Sequence, residues 1–454
     1  MAKKKQIELT IEEKLRNALV PKEEQLYKIP SNWCWTYIHN IAIVVTGKTP
    51  SKKNKEYYGG KFPFFKPADL DAGRNMQYAT EYLSEKGKSI SVIIPEKSTG
   101  ICCIGTIGKC GYFLVEGTTN QQINTVISKI NPLYSYYFFN TNSFVRELIS
   151  KASATTIAIV NKSKLESCLF PVAPLNEQQR IVNRIESLFA KLDRAKELIE
   201  NTLAQFEQNK MAILHRAFIG ELTAKWRKEK GILKDTWKSM ALENCGTWSG
   251  GGTPSMSCGD YWENGNIPWI TSKDMKNIYI EKTQKYITEK GVECSSAKYI
   301  DKPAILFVTR SGILRRIFPV CMVKIPFTVN QDLKVLVPSK MVCLEYLYWI
   351  CIYKSNKILG TCMKSGTTVE SISTDKLKKF KITVPIIEEQ QEIVNILDKL
   401  LAKYNKIKNL EQQLEKIELL KKAILAKAFR GELGTNNPDE ESAENLLKEI
   451  LAEK

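Results

Sequence analysis

Residues 174–182 read PLNEQQRIV and residues 212–222 read AILHRAFIGEL, and no Pro or Gly occurs between Asn176 and Ile219. This uninterrupted stretch predicts a helix of roughly 60 Å, with Asn176 as N-cap and Gly220 just beyond its end. Between the two motifs, apolar or small side chains recur at alternating steps of four and three, at Ile181, Ile185, Leu188, Leu192, Ala195, Ile199, Thr202 and Phe206. This period of about 3.5 residues predicts a coiled-coil seam, and a helix of this length needs a partner.

A second copy of both motifs lies near the end of the chain. Residues 385–394 read PIIEEQQEIV and residues 423–433 read AILAKAFRGEL. Both copies share E-Q-Q-x-I-V and A-I-L-x-x-A-F-x-G-E-L, and Glu177 corresponds to Glu389, a separation of 389 − 177 = 212 residues. In the second seam, two successive steps of three occur at Tyr404, Ile407 and Leu410. Such a stammer is expected to overwind the coil locally. We expect the two long helices to be each other's partners.

The composition is that of a large folded protein with a strong positive charge. The chain has 454 residues, 43% of them hydrophobic, and a formal net charge of +18 that is spread along its length. The length allows two or more domains, and the charge favours a polyanionic partner, above all nucleic acid. Without a long apolar run or a signal-peptide core, we expect no membrane span and a cytoplasmic location. The 12 Cys residues form no C-x-x-C pair, and with two His residues in the chain we expect no metal site.

The segments that precede the two long helices repeat each other. Both are rich in short β-type runs separated by Gly, Pro and polar turns. GKTPS at residues 47–51 matches GGTPS at residues 251–255. Further matches pair Asp69 with Asp274, Asn120-Gln121 with Asn330-Gln331, and Thr155-Thr156-Ile157 with Thr367-Thr368-Val369. At the N-terminus, Glu8-Leu9-Thr10 resembles Glu221-Leu222-Thr223, as it would in a circularly arranged, pseudo-two-fold protein.

These repeats predict an α+β chain with a pseudo-two-fold internal repeat, in which each of two β-rich domains is followed by a long helix. The expected order is an N-terminal helical segment (1–30), a first β-rich domain (31–173), a first long helix (174–222), a second β-rich domain (223–384), a second long helix (385–433) and a C-terminal tail (434–454). Thr10 and Glu13 should form a capping box for a short helix that ends before Pro21.

The duplicated order of these motifs, over nearly the whole chain, resembles the DNA specificity subunit of type I restriction-modification systems. The resemblance implies two target recognition domains, each reading one half of a split DNA sequence. It implies that the two long helices pair antiparallel as a coiled coil, separate the domains and dock two modification subunits, which bind S-adenosylmethionine. Restriction subunits, which are ATP-dependent translocases and nucleases, would join that complex, and this chain would hold no cofactor of its own. The alternative is a coiled-coil assembly or scaffold protein that does not read DNA.

Candidate DNA-binding residues follow from comparing the two domains. Residues shared by both domains should serve the fold or contact phosphates, whereas residues that differ at matching positions should read bases. Differing pairs are Lys66 against Thr271, Thr106 against Arg310, and Lys109 against Ile313. The shared hydroxyls of Thr49, Ser51, Thr253 and Ser255 either contact phosphates or serve turn chemistry, with equal weight. Four charged residues either neutralise phosphates or belong to a merely solvated face, namely Lys52, Lys53, Arg315 and Arg316. Lys48 and Lys273 are further DNA-binding candidates.

Sequence motifs of catalysis are absent. The chain has neither a G-x-x-x-x-G-K-[ST] loop nor an H-E-x-x-H helix motif, and Asn131-Pro132-Leu133 fails the N-P-P-[FY] pattern of amino-methyltransferases. We therefore expect a chain without catalytic activity, with methylation and restriction carried out by its partners.

Overall fold

The computed structural model describes residues 9–153, 158–364, 369–402 and 407–453. They form two units. Unit 1 comprises the described residues up to Ile199 together with those from Glu411 onward, and unit 2 runs from Glu200 to Leu410. The matched Thr155–Ile157 and Thr367–Thr368, and the stammer residue Tyr404, lie outside the described residues.

Short alternating runs in unit 1 form three sheets. The strands are β1 (Cys34–Tyr37), β2 (Ala42–Thr46), β3 (Tyr58–Phe65), β4 (Glu81–Leu83), β5 (Thr99–Cys102), β6 (Cys110–Tyr112), β7 (Thr118–Thr119), β8 (Ile123–Ser128) and β9 (Leu169–Val172). The sheet orders are β1-β9, β2-β8-β5-β6 and β4-β3-β7. The helices that come before or between these strands are α1 (Ile11–Ala18), α2 (Ile38–Ile41), α3 (Glu85–Ser89), α4 (Pro132–Phe139), α5 (Asn142–Ser150) and α6 (Lys162–Glu166).

Unit 2 repeats the same plan after the long helix α7 (Leu175–Phe218) and the short helix α8 (Ala224–Lys230). Its strands are β10 (Lys238–Ala241), β11 (Gly246–Gly250), β12 (Ile267–Ile270), β13 (Lys285–Ile287), β14 (Ala304–Val308), β15 (Val320–Val323), β16 (Thr328–Val329), β17 (Leu333–Pro338) and β18 (Lys381–Val384). The sheet orders are β10-β18, β11-β17-β14-β15 and β13-β12-β16, which correspond strand for strand to those of unit 1. The mixed helix-and-sheet class and the internal repeat are therefore confirmed.

The remaining helices of the chain complete both units. They are α9 (Glu289–Glu293), α10 (Leu344–Tyr353), α11 (Ser355–Cys362), α12 (Thr374–Lys379), α13 (Ile387–Leu401), α14 (Ile407–Ala428) and α15 (Ala443–Ala452). Thr10 and Glu13 form the capping box predicted for α1. In unit 1, α15 lies beside α1, where Lys448 Nζ bonds to Glu12 Oε1 at 3.0 Å.

The first long helix forms as predicted, but its N-cap differs. The carbonyl of Pro174 accepts the first helical bond from the Gln178 N–H at 2.9 Å, so the helix begins at Leu175. Asn176 lies inside the first turn and is not the N-cap. At the other end, Gly220 has a φ of +78°, the left-handed conformation expected of a glycine there. Of the predicted seam, Ile181 and Ile185 are fully buried in the core of unit 1.

The apolar end of each long helix is part of a domain core. In unit 2, Phe218 packs against Tyr346 of α10 with ring centroids 5.5 Å apart. In unit 1, Phe429, just beyond α14, packs against Tyr134 and Phe138 of α4 at 4.9 and 5.2 Å. The end of the first long helix therefore closes the second domain, and the end of the second long helix closes the first domain.

The E-Q-Q motif ties each long helix to the domain before it. Gln178 Oε1 accepts from the backbone N–H of Asn131 at 3.0 Å. In unit 2, Gln390 Oε1 accepts from the N–H of Cys343 at 2.8 Å, immediately before α10. The motif therefore has a structural role, which its sequence pattern alone did not reveal.

The glutamate of the motif is fully buried in both units. Glu177 accepts from Trp33 Nε1 at 2.7 Å and Asn436 Nδ2 at 2.8 Å. Glu389 accepts at its two carboxylate oxygens from Thr223 Oγ1 at 2.6 Å, Arg227 Nη1 at 2.5 Å and Trp237 Nε1 at 2.9 Å. In each unit the donors include a Trp from the start of the domain and a residue from the segment that follows the other long helix.

Candidate nucleic-acid interface

Three strand ends of the four-stranded sheet meet at one edge in each unit. In unit 2, the antiparallel register pairs Gly250 of β11 with Lys334 of β17, and Val308 of β14 with Leu333. This register brings together the turn after β11, the start of β17 and the residues after β14. In unit 1, the corresponding ends are those of β2, β8 and β5. We call this edge the turn edge, because the repeated Gly/Pro turns at residues 47–51 and 251–255 lie on it.

A side-chain hydrogen bond closes the Gly/Pro turn in both units. Thr49 Oγ1 donates to Gln121 Oε1 at 2.6 Å, and Thr253 Oγ1 donates to Gln331 Oε1. The turn also requires its first glycine, because a Cβ at Gly47 would lie 2.2 Å from Thr119 Oγ1. These threonines therefore have the turn role that was one of their two predicted readings, and each hydroxyl proton is already used within the protein.

The two turn serines lie in equivalent places. The Ser51 carbonyl accepts from the Asn54 N–H at 3.1 Å, and the Ser255 carbonyl accepts from the Cys258 N–H at 3.2 Å. The hydroxyl of Ser255 bonds to that of Ser257 at 2.8 Å. A contact of these serines with phosphate stays a prediction.

The predicted pairing of Lys66 with Thr271 is confirmed by local geometry. An aspartate three residues on accepts from the backbone N–H at each position, Asp69 at 2.7 Å and Asp274 at 2.8 Å. Both side chains are engaged within the protein, since Lys66 Nζ lies 2.5 Å from Glu81 Oε2 and Thr271 Oγ1 donates to Asp274 at 2.8 Å. Base contact by either residue would require breaking these interactions.

The predicted pairings of Thr106 with Arg310 and of Lys109 with Ile313 are wrong. Arg310 forms a β-bridge with Ser371, and the corresponding bridge in unit 1 joins Ile104 to Ile159. Arg310 therefore occupies the place of Ile104. The reason is loop length, because the loop that leaves β5 is shorter than the loop that leaves β14. The Cys102 N–H bonds to the Lys109 carbonyl, as the Val308 N–H bonds to the Pro319 carbonyl.

The cationic candidates fall into two groups. Lys109 Nζ pairs with Asp71 at 2.7 Å, Arg315 pairs with Glu370, and Lys66 pairs as given above. The hydrogen bond from Arg315 lowers the pKa of the Glu370 carboxyl. Within the described ranges, no ion pair forms at Lys48, Lys52, Lys53, Lys273, Arg310 or Arg316. The second group is therefore better placed to meet the phosphates of a polyanion without losing an internal partner.

The family is decided by comparison with known proteins. A family model, described as the type I restriction modification DNA specificity domain, matches residues 30–205 and again residues 234–419. The chain belongs to this family. Each match covers one set of three sheets and part of the long helical region that follows, so the specificity domain is present twice.

Relatives of the specificity-domain family span different parts of the chain. The chain is 44% identical over 163 residues to the EcoR124I/EcoR124II specificity subunit of Escherichia coli, and 33% identical over 192 residues to the MjaIX specificity subunit of Methanocaldococcus jannaschii. The aligned segments cover 36% and 42% of this chain, and 40% and 43% of those relatives. The EcoKI specificity subunit of Escherichia coli is 26% identical over 462 residues, which covers 94% of this chain and 96% of that relative.

The specificity-domain fold is also seen among solved structures. A chain from a structure of a type I R-M system superposes with a TM-score of 0.67 at 18% identity, covering 90% of this chain and 100% of that chain. At this identity the likeness shows the fold alone.

Sequence comparison missed three residues at the turn edge of the second specificity domain, namely Asp332, Lys334 and Lys364. Signals for two of them were present. Asp332 follows Asn330 by the same two positions by which Gln122 follows Asn120, and Lys334 follows it by the same four positions as Asn124. The place of Lys364 depends on backbone pairing that no sequence spacing predicts. Lys364 reaches the turn edge because its N–H bonds to the Ser371 carbonyl at 2.9 Å.

Metal and membrane features can be assessed for the part of the chain that the structure describes. There, no group of three or more His, Cys, Asp or Glu side chains is arranged to hold a metal ion. Among the same residues, none of the helices combines the length and apolar character needed to cross a membrane.

Proposed function

We propose that this chain is the DNA-recognition subunit of a type I restriction-modification complex, and that each specificity domain reads one half of a bipartite DNA site. The single observation that carries the proposal is the turn edge. The two domains share its backbone register and its Thr–Gln bond, but differ in the side chains presented around them. A common frame with different side chains is what two readers of different sequences require.

The charge distribution supports double-stranded DNA as the ligand. The chain carries a net charge of +18, and the unpaired candidates lie on turns of both domains, as with Lys52, Lys53 and Lys273. Exposed cations without carboxylate partners gain most from phosphate neutralisation and the release of counterions. A coiled-coil scaffold that does not read DNA, the alternative function, has no need for this arrangement.

The long helices are proposed to pair antiparallel as a coiled coil, to set the separation of the two half-sites and to dock two modification subunits. Within unit 1, Lys196 of α7 bonds to Glu418 of α14 at 3.3 Å, and Asp193 bonds to Lys421 at 2.5 Å. The numbering falls on one helix as it rises on the other, which supports the antiparallel direction.

The proposed partners supply the chemistry. The modification subunits would bind S-adenosylmethionine and methylate DNA, the restriction subunits would add ATP-dependent translocation and cleavage, and this chain would remain non-catalytic without a cofactor. Relatives named specificity subunits, of which two align over 94% of this chain, support the assignment. A role on genomic DNA also implies the cytoplasm as its location.

A domain exchange tests the proposal. Residues 31–170 would be replaced by the corresponding domain of a relative with a different target, and the sequence enriched from a randomised duplex library would be compared with that of the parent chain. We expect one half of the enriched sequence to change and the other half to persist. A change in both halves or in neither would contradict two independent readers, and binding without sequence preference would favour the scaffold.

A further inference from the structure

The turn edge of unit 2 contains a charged cleft that the proposed function leaves unassigned. The cleft has a volume of about 560 Å³, and its polar lining includes Arg310, Gln331, Asp332, Lys334 and Lys364. Arg310, Gln331 and Lys364 are exposed, whereas Asp332 and Lys334 are half-buried. The three cations form no ion pair among the described residues, so the cleft carries an excess of two positive charges over its one carboxylate.

The backbone around the cleft is held by a dense set of hydrogen bonds. Thr309 donates to the Asp332 carbonyl from both its N–H, at 2.8 Å, and its hydroxyl, at 2.9 Å. The Ile372 N–H bonds to the Thr309 carbonyl at 2.8 Å, and the Lys364 N–H to the Ser371 carbonyl at 2.9 Å. The polar side chains therefore project from fixed positions, as a reading surface requires.

Unit 1 has the same backbone hydrogen bonds at this edge, but the side chains at the matching positions differ. The Cys103 N–H bonds to the Gln122 carbonyl at 2.8 Å, the Val160 N–H to the Cys103 carbonyl at 2.9 Å, and the Ser153 N–H to the Ile159 carbonyl at 3.0 Å. Matching these bonds places four neutral residues of unit 1 where unit 2 has charges. Ile104 takes the place of Arg310, Gln122 that of Asp332, Asn124 that of Lys334, and Ser153 that of Lys364.

The residue that pairs with Asn124 in unit 1 also differs from the residue that pairs with Lys334 in unit 2. In unit 1, Thr46 Oγ1 donates to Asn124 Oδ1 at 2.7 Å across β2 and β8. In unit 2, the residue paired with Lys334 is Gly250, and Lys334 Nζ would lie 3.0 Å from a Cβ at that position. Gly250 thus leaves room for the longer side chain, so each domain has its own matched pair.

We infer that the unit 2 cleft reads a G·C base pair from the major groove, with Arg310 donating to guanine and Asp332 accepting from cytosine. Guanine presents two acceptors, O6 and N7, that match the fork of an arginine, and cytosine presents an amino donor that a carboxylate accepts. A phosphate site fits less well, because Asp332 would repel phosphate and because a sequence-independent contact gives no reason for four positions to differ between the domains.

Lys334 and Lys364 have a supporting role in this assignment. Their charges keep the cleft attractive to the polyanion while Asp332 is present. The inference rests on the proposed function, since it assumes that unit 2 reads one half-site. The inference goes beyond that function because it names the residues that contact the bases and the base pair that they recognise.

The test uses the full-length chain and a randomised duplex library, followed by binding to the enriched duplex with each G·C pair changed in turn to A·T. The substitution Arg310→Lys keeps the positive charge but loses the bidentate hydrogen bonding to guanine O6 and N7. We expect discrimination at one G·C pair of one half-site to fall roughly 5- to 100-fold, with the salt dependence of binding unchanged. Asp332→Asn should weaken discrimination at the same pair.

A cleft exchange supplies a second measurement with a charge-matched control. The variant R310I/D332Q/K334N/K364S places the unit 1 lining in unit 2 and lowers the net charge by two. The control K298A/K302A also removes two positive charges, from exposed lysines of unit 2 outside the cleft. We expect the exchange to change the sequence enriched for one half-site, and the control to keep the sequence with a smaller salt slope. Thermal unfolding would verify that each variant is folded.

Two results would overturn the inference, and a third concerns the proposed function. If Arg310→Lys retained full discrimination at every G·C pair, or if a folded exchange variant enriched the parent sequence with uniformly lower affinity, the cleft would be a phosphate site. If the parent chain enriched no sequence at all, the proposed function would fail, and the reading role of the cleft with it.

Discussion

Glu389 is a carboxylate with no exposed surface, and its environment explains why the motif that contains it occurs at both long helices. Removing a charge from water is costly unless it is paired and fully hydrogen-bonded. Glu389 is satisfied by a guanidinium, a hydroxyl and an indole N–H. Glu177 lacks the buried arginine and instead accepts from Asn436 and Trp33. The same residue therefore anchors both repeats through a tryptophan and a threonine that the repeats share, together with Asn436 in unit 1 and Arg227 in unit 2.

Glu389→Gln should destabilise unit 2 by about 3 kcal/mol or more, because Arg227 would remain buried without its counter-charge. Hydrogen exchange of the full-length chain would measure the effect, as lost protection in α8 and at the start of α13. The matched control is Glu388→Gln, which changes the exposed neighbour by the same chemistry. Equal protection in the two variants would show that the buried ion pair contributes little.

Cysteine reactivity should follow burial. Burial raises the pKa of the Cys103 thiol to about 11 and that of Cys110 well above its usual value, whereas Cys294 is exposed. Because the thiolate is the reactive form, iodoacetamide at pH 8 should label Cys294 first and leave Cys103 and Cys110 unmodified in the folded chain.

Mass spectrometry of the labelled peptides checks this expectation, and urea-unfolded protein serves as the control in which the thiols react alike. Rapid labelling of Cys110 in native protein would mean that the core of unit 1 opens readily.

The motif at the C-terminal end of each long helix contains a phenylalanine that belongs to a domain core. Phe429 lies more than 250 residues beyond Phe138, yet their ring centroids are 5.2 Å apart. Phe218 has the equivalent place in unit 2, next to Tyr346 and Tyr353. The two A-F-x-G-E-L motifs are therefore packing elements that close domains.

Phe429→Ala should destabilise unit 1 by about 3–5 kcal/mol, and Phe218→Ala should do the same to unit 2, because each leaves a cavity among aromatic rings. Hydrogen exchange should show lost protection in α4 for the first variant and in α10 for the second. Leu419→Ala, at a side chain that is 65% exposed, is the control and should change neither. Loss of protection in α10 with Phe429→Ala would contradict the assignment of the helix ends.

The C-terminal tail is attached to the first long helix by an ion pair that should respond to pH. Arg180 bonds to both carboxylate oxygens of Glu440 at 2.7 Å, and these hydrogen bonds lower the pKa of Glu440 below its ordinary value of 4.5. A carboxyl whose pKa is lower in the folded state stabilises that state above its unfolded pKa. This stabilisation should be lost as the pH falls from 4.5 through the lowered value.

Hydrogen exchange at α15 between pH 6 and pH 3.5, corrected for the intrinsic exchange rate, would measure this loss. Glu440→Gln should remove the part of the pH dependence that the pair contributes, whereas Asp439→Asn, at an exposed neighbour, should leave it intact. An unchanged profile in Glu440→Gln would assign the pH response to other carboxylates.

The proposed pairing of the long helices makes them the spacer between the two DNA half-sites. Adding one heptad to each helix, in register with its seam, would lengthen each by roughly 10 Å. We expect the enriched DNA sequence to gain at most about three base pairs between its halves, since a duplex rises about 3.4 Å per base pair.

The enriched sequence of the folded double insertion provides the measurement. A heptad added to one helix alone should instead lower stability, because the seams no longer match. Unchanged spacing in the double insertion would mean that the long helices do not set the separation of the half-sites.

Sequence patterns were enough to predict the repeat, the first long helix and the family. Apolar periodicity and motif order are local signals, so they can be recognised without knowledge of the fold. The buried seam residues Ile181 and Ile185 are an example. The turn role of Thr49 and Thr253 was also among the predictions, because Gly/Pro turns have recognisable chemistry. The predicted N-cap was wrong, because Asn176 is a good cap by residue type but the carbonyl of Pro174 accepts the first helical bond.

Long-range contacts in the folded chain show which domain each segment closes and which residues share the turn edge. Each buried glutamate has a partner from the segment beyond the other long helix, Asn436 for Glu177 and Arg227 for Glu389, and no local pattern encodes such a contact. Arg310 matches Ile104 and not Thr106 because loops of unequal length shift the sequence alignment, whereas strand pairing keeps the positions in register. Backbone hydrogen bonding, which depends on residues far apart in the chain, therefore sets the chemistry of the cleft.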